Sequence, residues 1–154
     1  MNSSSFRPPA SFKRPESVLV VVYTEQGETL LLRRTGNAFW QSITGGMQWP
    51  CEEPETAARR EVLEETGIAA AEGWCDHQIS RRFHILPEYR YCYGPGVTEN
   101  VEHFFSLRIP RRCPVQVNPA EHDLSRWEQL PAAADSVWSW TNRVALAQIA
   151  QELV

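Results

Sequence analysis

GMQWPCEEPETAARREVLEETGI, from Gly46 to Ile68, is the stretch that decides how this chain folds. Pro54 suits the first turn of a helix, because its fixed φ fits there and its missing N–H is not needed. Glu52, Glu53 and Glu55 place negative charge at the positive end of that helix. Gly67 suits the position just past the other end. The spacing therefore predicts a helix over Pro54 to Thr66. On it Glu61 lies three residues from Glu64 and four from Glu65, so the three carboxylates share one face. Val62 and Leu63 point elsewhere and can bury against a core. Clustered carboxylates repel one another unless something positive sits among them. Hard oxygen donors on a rigid element, with room left for water and phosphate, suit Mg²⁺.

Taken alone, Glu-x-x-Glu-Glu is usually a solvated acidic face. Here Gly46, Glu52, Arg60 and Gly67 stand in fixed register with it, and Val62 and Ile68 fill two aliphatic slots. The whole stretch resembles the signature box of the Nudix family, hydrolases that cut a nucleoside diphosphate linked to another group. That resemblance implies a mixed β-sheet between helices, an α/β/α sandwich of the α+β class. It implies that Glu61 and Glu65 hold Mg²⁺ (or Mn²⁺), and that a further loop carboxylate completes the metal cage. Glu121 is favoured for that place over its competitor Glu102. The same resemblance has Arg60 pairing with acidic neighbours and holding the catalytic glutamates in place. Glu52 is then a structural partner in that network. Glu64 is the candidate general base or its helper, with Glu61 able to share the task.

Outward from the box, Ser17 to Tyr23 is a continuous β-branched run, typical of a strand buried on both faces. Glu25 to Glu28 reads as a turn and Thr29 to Arg34 as a second strand. Phe39 to Thr44 leads into Gly45-Gly46, glycines that let backbone approach a phosphate or metal closely. A carbonyl from Gly45 or Gly46 is thus a candidate metal ligand. Lys13 and Arg14 precede the first strand and Arg33 ends the second. Any one of these can be a plain surface charge. Arg33 is the better phosphate candidate, since a guanidinium can grip phosphate oxygens at two points.

Beyond the box, Trp74 to Ile85 should hold a strand, and so should Val101 to Ile109. Tyr89 to Thr98 reads as an aromatic, glycine-rich loop of the kind that shapes pockets. Arg108 to Pro114 is a polar turn. Ser136 to Leu153 reads as a closing amphipathic helix.

Several short segments outside the box also resemble the pterin-triphosphate branch of the Nudix family. They are Phe12 to Pro15, Phe39 to Gly45, Gly94 to Asn100, Glu121-His122 and Trp140 to Arg143. This resemblance implies cleavage of dihydroneopterin triphosphate to its monophosphate and pyrophosphate, a step of folate synthesis, with dATP as a further substrate. It has Lys13 and Arg33 meeting phosphate. It has Thr44, Phe83, Ile85 and Ser139 lining the substrate site, with His84 and Leu86 in the same segment. Two other readings stay open. One is a hydrolase of modified nucleoside triphosphates or dinucleoside polyphosphates. The other is a non-catalytic nucleotide sensor, which would be expected to lose box carboxylates that this chain keeps.

Composition bounds the remainder. A chain of 154 residues supports one domain with a proper core, expected over 12–154 behind a loose Ser/Pro-rich tail at 1–11. A net charge of −4 gives no general reason to bind a nucleic acid polymer. No apolar run approaches the ~20 residues of a membrane span, and the start has no apolar core of a secretory leader. Cys51, Cys75, Cys92 and Cys113 match no zinc spacing and read as reduced thiols. The expectation is a cytoplasmic monomer or homodimer acting on a small-molecule triphosphate.

Overall fold

The structure is a computed structural model and describes residues 12–153; the tail expected over 1–11 lies outside the described residues. Its centre is the β-branched run that the sequence places in a doubly buried strand. That strand, β1, spans Glu16–Thr24. Val18, Val20 and Val22 face one side of the sheet and Leu19, Val21 and Tyr23 the other, and all six are buried. On one edge β1 runs parallel to β6 (Glu99–Ile109), from Glu16↔Val101 to Thr24↔Ile109. Its other edge is divided. Tyr23 pairs with Thr29 of β2 (Glu28–Arg34), while Ser17 to Val20 pair antiparallel with Gly46 to Ile43 of β4 (Ile43–Gly46). The short β3 (Trp40–Gln41) continues the sheet beyond β2, and β5 (Trp74–His84) closes the far side on β6.

The two faces of this mixed, seven-stranded sheet are covered by different helices. Helix α1 (Pro54–Thr66) packs Ala57, Ala58 and Val62 against Val18, Val20, Val22, Phe105 and Leu107. Helices α2 (Leu130–Ser136) and α3 (Trp140–Glu152) bring Leu130, Ala133, Ala145, Leu146 and Ile149 to Leu19, Val21, Leu31 and Phe104. The expected α/β/α sandwich of the α+β class is the architecture found. Helix α1 has the expected bounds, with Pro54 in its first turn and Gly67 left-handed at φ 77° past its end.

The second half departs from the sequence reading in three places. A strand, β7 (His122–Gln129), pairs antiparallel with β2 where no strand is expected. The closing helix expected over Ser136 to Leu153 is α3 and begins four residues later, and α2 stands before it where no helix is expected. α2 ends at Ser136, Val137 is buried in extended backbone, and α3 starts afresh at Trp140. Ser139 makes this restart, its hydroxyl accepting the Asn142 N–H as an N-cap. The expected loop over Tyr89 to Thr98 is partly ordered, its first residues belonging to a 3₁₀ turn at Pro87–Cys92. No helix among the described residues is long and apolar enough to cross a membrane.

Leu146 is fully buried under the sheet. Replacing it with Ala should cost about 2–5 kcal/mol, read as a lowered denaturant midpoint with the same slope.

Candidate active site

The site begins with one guanidinium. Arg60 on α1 donates from Nε and Nη2 to the two carboxylate oxygens of Glu52, both at 2.8 Å. Nη2 also donates to the Gly46 carbonyl at 2.9 Å. Nη1 donates to Glu61 at 2.8 Å and to Glu64 at 3.1 Å. The Gln48 N–H donates to Glu52 in turn, and Arg14 donates to the carbonyls of Gln48 and Glu52. The box loop is therefore pinned to the helix that carries the carboxylates. Glu52 is spent on this frame, as expected of a structural partner.

Glu61 lies against β4. A side chain on Gly45 would overlap the Glu61 carboxyl, so only glycine lets the strand pass. Burial pushes the Glu61 carboxyl up to about 7, against the opposing pull of Arg60. Glu64, one helical turn on from Arg60, is half-exposed and, among the described residues, is ion-paired to Arg60 alone.

Glu65 is almost fully buried and accepts a 2.8 Å hydrogen bond from His122 Nδ1. The Trp138 indole can only donate, and it donates to Gln41 Oε1 at 3.0 Å. The Gln41 amide nitrogen therefore points at Thr44 Oγ1 (3.1 Å) and His122 Nε2 (3.2 Å). His122 accepts at Nε2 and carries its proton on Nδ1, aimed at Glu65. Glu121, next in the chain, meets the same carboxyl. Burial alone would raise Glu65, but hydrogen bonds from His122 and Glu121 hold it below the usual carboxylate range. Its bond to Glu65, and then burial, push Glu121 up.

Two carboxyl groups pressed together must share a proton or a cation. Ligand atoms of Glu65, Glu121 and His122 lie within 4.8 Å of one another. This oxygen-rich set fits a hard divalent cation, which would replace the shared proton. Glu102, the competing carboxylate, is not in this cluster. It is buried on β6 and takes the Thr141 hydroxyl as partner.

These groups open on a cavity of about 730 Å³. Its lining includes Lys13, Thr44, Gly45, Glu61 and Glu121. The consecutive Phe83, His84, Ile85 and Leu86 form another wall with Ser139. Arg33, Glu64 and Glu65 are not brought to this lining, although Glu121 and His122, which meet Glu65, are. A register shift between Arg33 and Arg34 turns the chain there. Arg33 is held outside by Asp123 through two hydrogen bonds, at 2.8 and 3.1 Å, while Arg34 lines the cavity. Sequence reasoning missed Arg34, Gln41, His122 and Trp138. His122 alone carried a signal, its place beside Glu121.

With this geometry in view, comparison with known proteins gives a family. The NUDIX domain matches residues 13–148, and the chain belongs to the Nudix family. Among its relatives, the dihydroneopterin triphosphate diphosphatase of Escherichia coli (strain K12) is 41% identical over 145 residues, 89% of this chain and 93% of that protein. Its counterpart in Haemophilus influenzae is 33% identical, over 88% of this chain and 87% of that protein. The solved structure of the E. coli dihydroneopterin triphosphate pyrophosphohydrolase superposes with a TM-score of 0.85 at 37% identity, covering 92% of this chain and 98% of that one. A C. elegans Ap4A hydrolase shares the fold, with a TM-score of 0.68 at 21% identity.

Burial pushes the Glu102 carboxyl up to about 7, with Thr141 and Arg81 opposing. An acid raised above its unfolded value binds more protons when folded, so stability should fall as pH rises from about 4.5 to 7. Glu102→Gln should remove its share of that decline, Glu61 keeping its own, and leave the variant more stable than wild type above neutrality by up to about 3 kcal/mol. Urea unfolding across this pH range measures it.

Proposed function

We propose that this chain hydrolyses dihydroneopterin triphosphate to dihydroneopterin monophosphate and pyrophosphate. The reading is carried by Glu65, Glu121 and His122, whose ligand atoms lie within 4.8 Å of one another beside a cavity that Glu61 and Glu121 line and that is large enough for a ring and a triphosphate. The 41% identity to the E. coli enzyme, over nearly the full length of both chains, supports the choice of substrate. Water adds across one phosphoric anhydride bond; its oxygen ends on one product, and the other leaves as the second phosphate.

Glu65, Glu121 and Glu61 would hold Mg²⁺ (or Mn²⁺), with the Gly45 carbonyl as a further candidate ligand. A divalent cation bound there neutralises phosphate charge and acidifies water. The rest falls to this chain's own residues. Lys13, whose charge already acts on Glu121, and Arg34 are placed to receive phosphate oxygens from the cavity wall. Arg33 could join them only by leaving Asp123. Glu61, with its raised carboxyl, can accept a proton near neutrality. Glu64 can serve the same end after exchanging its bond to Arg60. Trp138, Gln41 and His122 keep Glu65 ionised and oriented. Thr44, Phe83, His84, Ile85, Leu86 and Ser139 form the substrate wall. Four cysteines without disulfide partners suit a reducing compartment, the cytoplasm.

Pyrophosphate release should be fastest from dihydroneopterin triphosphate in a panel with dATP, 8-oxo-dGTP and diadenosine tetraphosphate. A pterin cleaved no better than dATP would refute the substrate reading and leave the hydrolytic one. Glu65→Gln should lower kcat by about 10²–10⁴-fold with the fold intact by circular dichroism. Unchanged turnover would sink the metal assignment.

A further inference from the structure

The cavity holds a carboxylate that phosphate chemistry does not use. Four glutamates line it: Glu16, Glu61, Glu102 and Glu121. Glu16 is ion-paired to Arg14 at 2.9 Å, Glu61 to Arg60 at 2.8 Å, and Glu121 shares a proton with Glu65. Glu102 is 6% exposed and, among the described residues, has no ion pair. Arg81, its partner in register on β5, stacks over Phe104 instead. One hydroxyl, from Thr141, meets Glu102. Two carboxylate oxygens offer about four acceptor positions, so most of its capacity faces the cavity unfilled. Burying such a group unpaired is costly, and ligand donors would offset the cost.

Its place fits a ring. Ser17 of β1 pairs with Gly46 on one side and Glu102 on the other. Two strand spacings, roughly 10 Å, thus separate Glu102 from the glycine whose carbonyl Arg60 holds. That span suits a bicyclic ring at Glu102 with its triphosphate at the acidic cluster. Phe83 and Trp138 supply flat aromatic walls in the same lining, and Ile85 an aliphatic one.

We infer that Glu102 reads the ring of the substrate. Its two oxygens accept hydrogen bonds from the ring N–H and the adjacent exocyclic amine of a 2-amino-4-oxopyrimidine edge, the edge that pterins share with guanine. The inference rests on the proposed function for the position of the triphosphate, and it assigns Glu102 to specificity rather than to catalysis.

The test uses the full chain and two fluorescent probes, neopterin monophosphate and its 2-oxo counterpart, a lumazine monophosphate. Wild type should bind the amino ring about 100-fold more tightly, since a site built for a donor rejects its absence. In Glu102→Gln the carboxamide offers one acceptor and one donor, which match a ring N–H beside a C2 carbonyl. The preference should therefore invert, an outcome that damaged folding does not produce. A variant that keeps the wild-type preference would overturn the proposal. So would a wild type that binds both rings equally or binds neither. Inversion together with a triphosphate panel showing no pterin preference would uphold Glu102 as the ring reader while the substrate reading falls.

Discussion

The rest of the site depends on the Arg60 guanidinium. An arginine with five donors in a rigid fork can hold three carboxylates and a carbonyl at once; a lysine, with three donors, cannot. Here it ties Glu52, Glu61, Glu64 and Gly46 together. Without it, three acidic residues within two helical turns would repel, and the loop before α1 would lose its attachment to the sheet. The ties are partly buried, so water screens them less than surface pairs. Gly45 completes the constraint from the other side, because its missing side chain makes room for Glu61 against β4.

From this frame the cavity divides across β1. On the β4 side lie the box carboxylates, and Glu121 and His122 arrive from the loop that enters β7. On the β6 side lie Asn100, bonded to Ser17 at 2.7 Å, and Glu102. A single central strand thus separates groups suited to phosphate from groups suited to a ring. The cap of α3 joins the two. Ser139 and Thr141 approach within 3.3 Å, and Asn142 reaches across to both the N–H and the hydroxyl of Ser42. The break between α2 and α3 therefore places the helix start at the cavity wall, which one continuous helix would not do.

The legibility of the sequence followed the range of the interactions. Helix α1 was readable to the residue because Pro54, Gly67 and the glutamate spacing are local signals. β1 was readable because Val18 to Val22 is apolar on both faces. β7 was not, because its middle is exposed and lacks alternation, and only its pairing to β2 far back in the chain makes it a strand. The register shift that takes Arg33 outward and Arg34 inward comes from that same pairing. Glu121 was found through a family resemblance. His122, Gln41 and Trp138 act together through three hydrogen bonds spanning up to 97 residues of sequence, which no local pattern encodes. Glu102 reads from sequence as a competing metal ligand, and the structure leaves it outside the acidic cluster. Its burial and its distance from the acidic cluster became visible only with β6 laid beside β1.

The central claim is this division of labour between carboxylates. Mn²⁺ titration followed by electron paramagnetic resonance, on wild type, Glu121→Gln and Glu102→Gln, tests it most directly. Wild type should show one strong site class, weakened at least about 10-fold in Glu121→Gln and retained in Glu102→Gln. Loss of Mn²⁺ binding in Glu102→Gln, with Glu121→Gln unaffected, would contradict it.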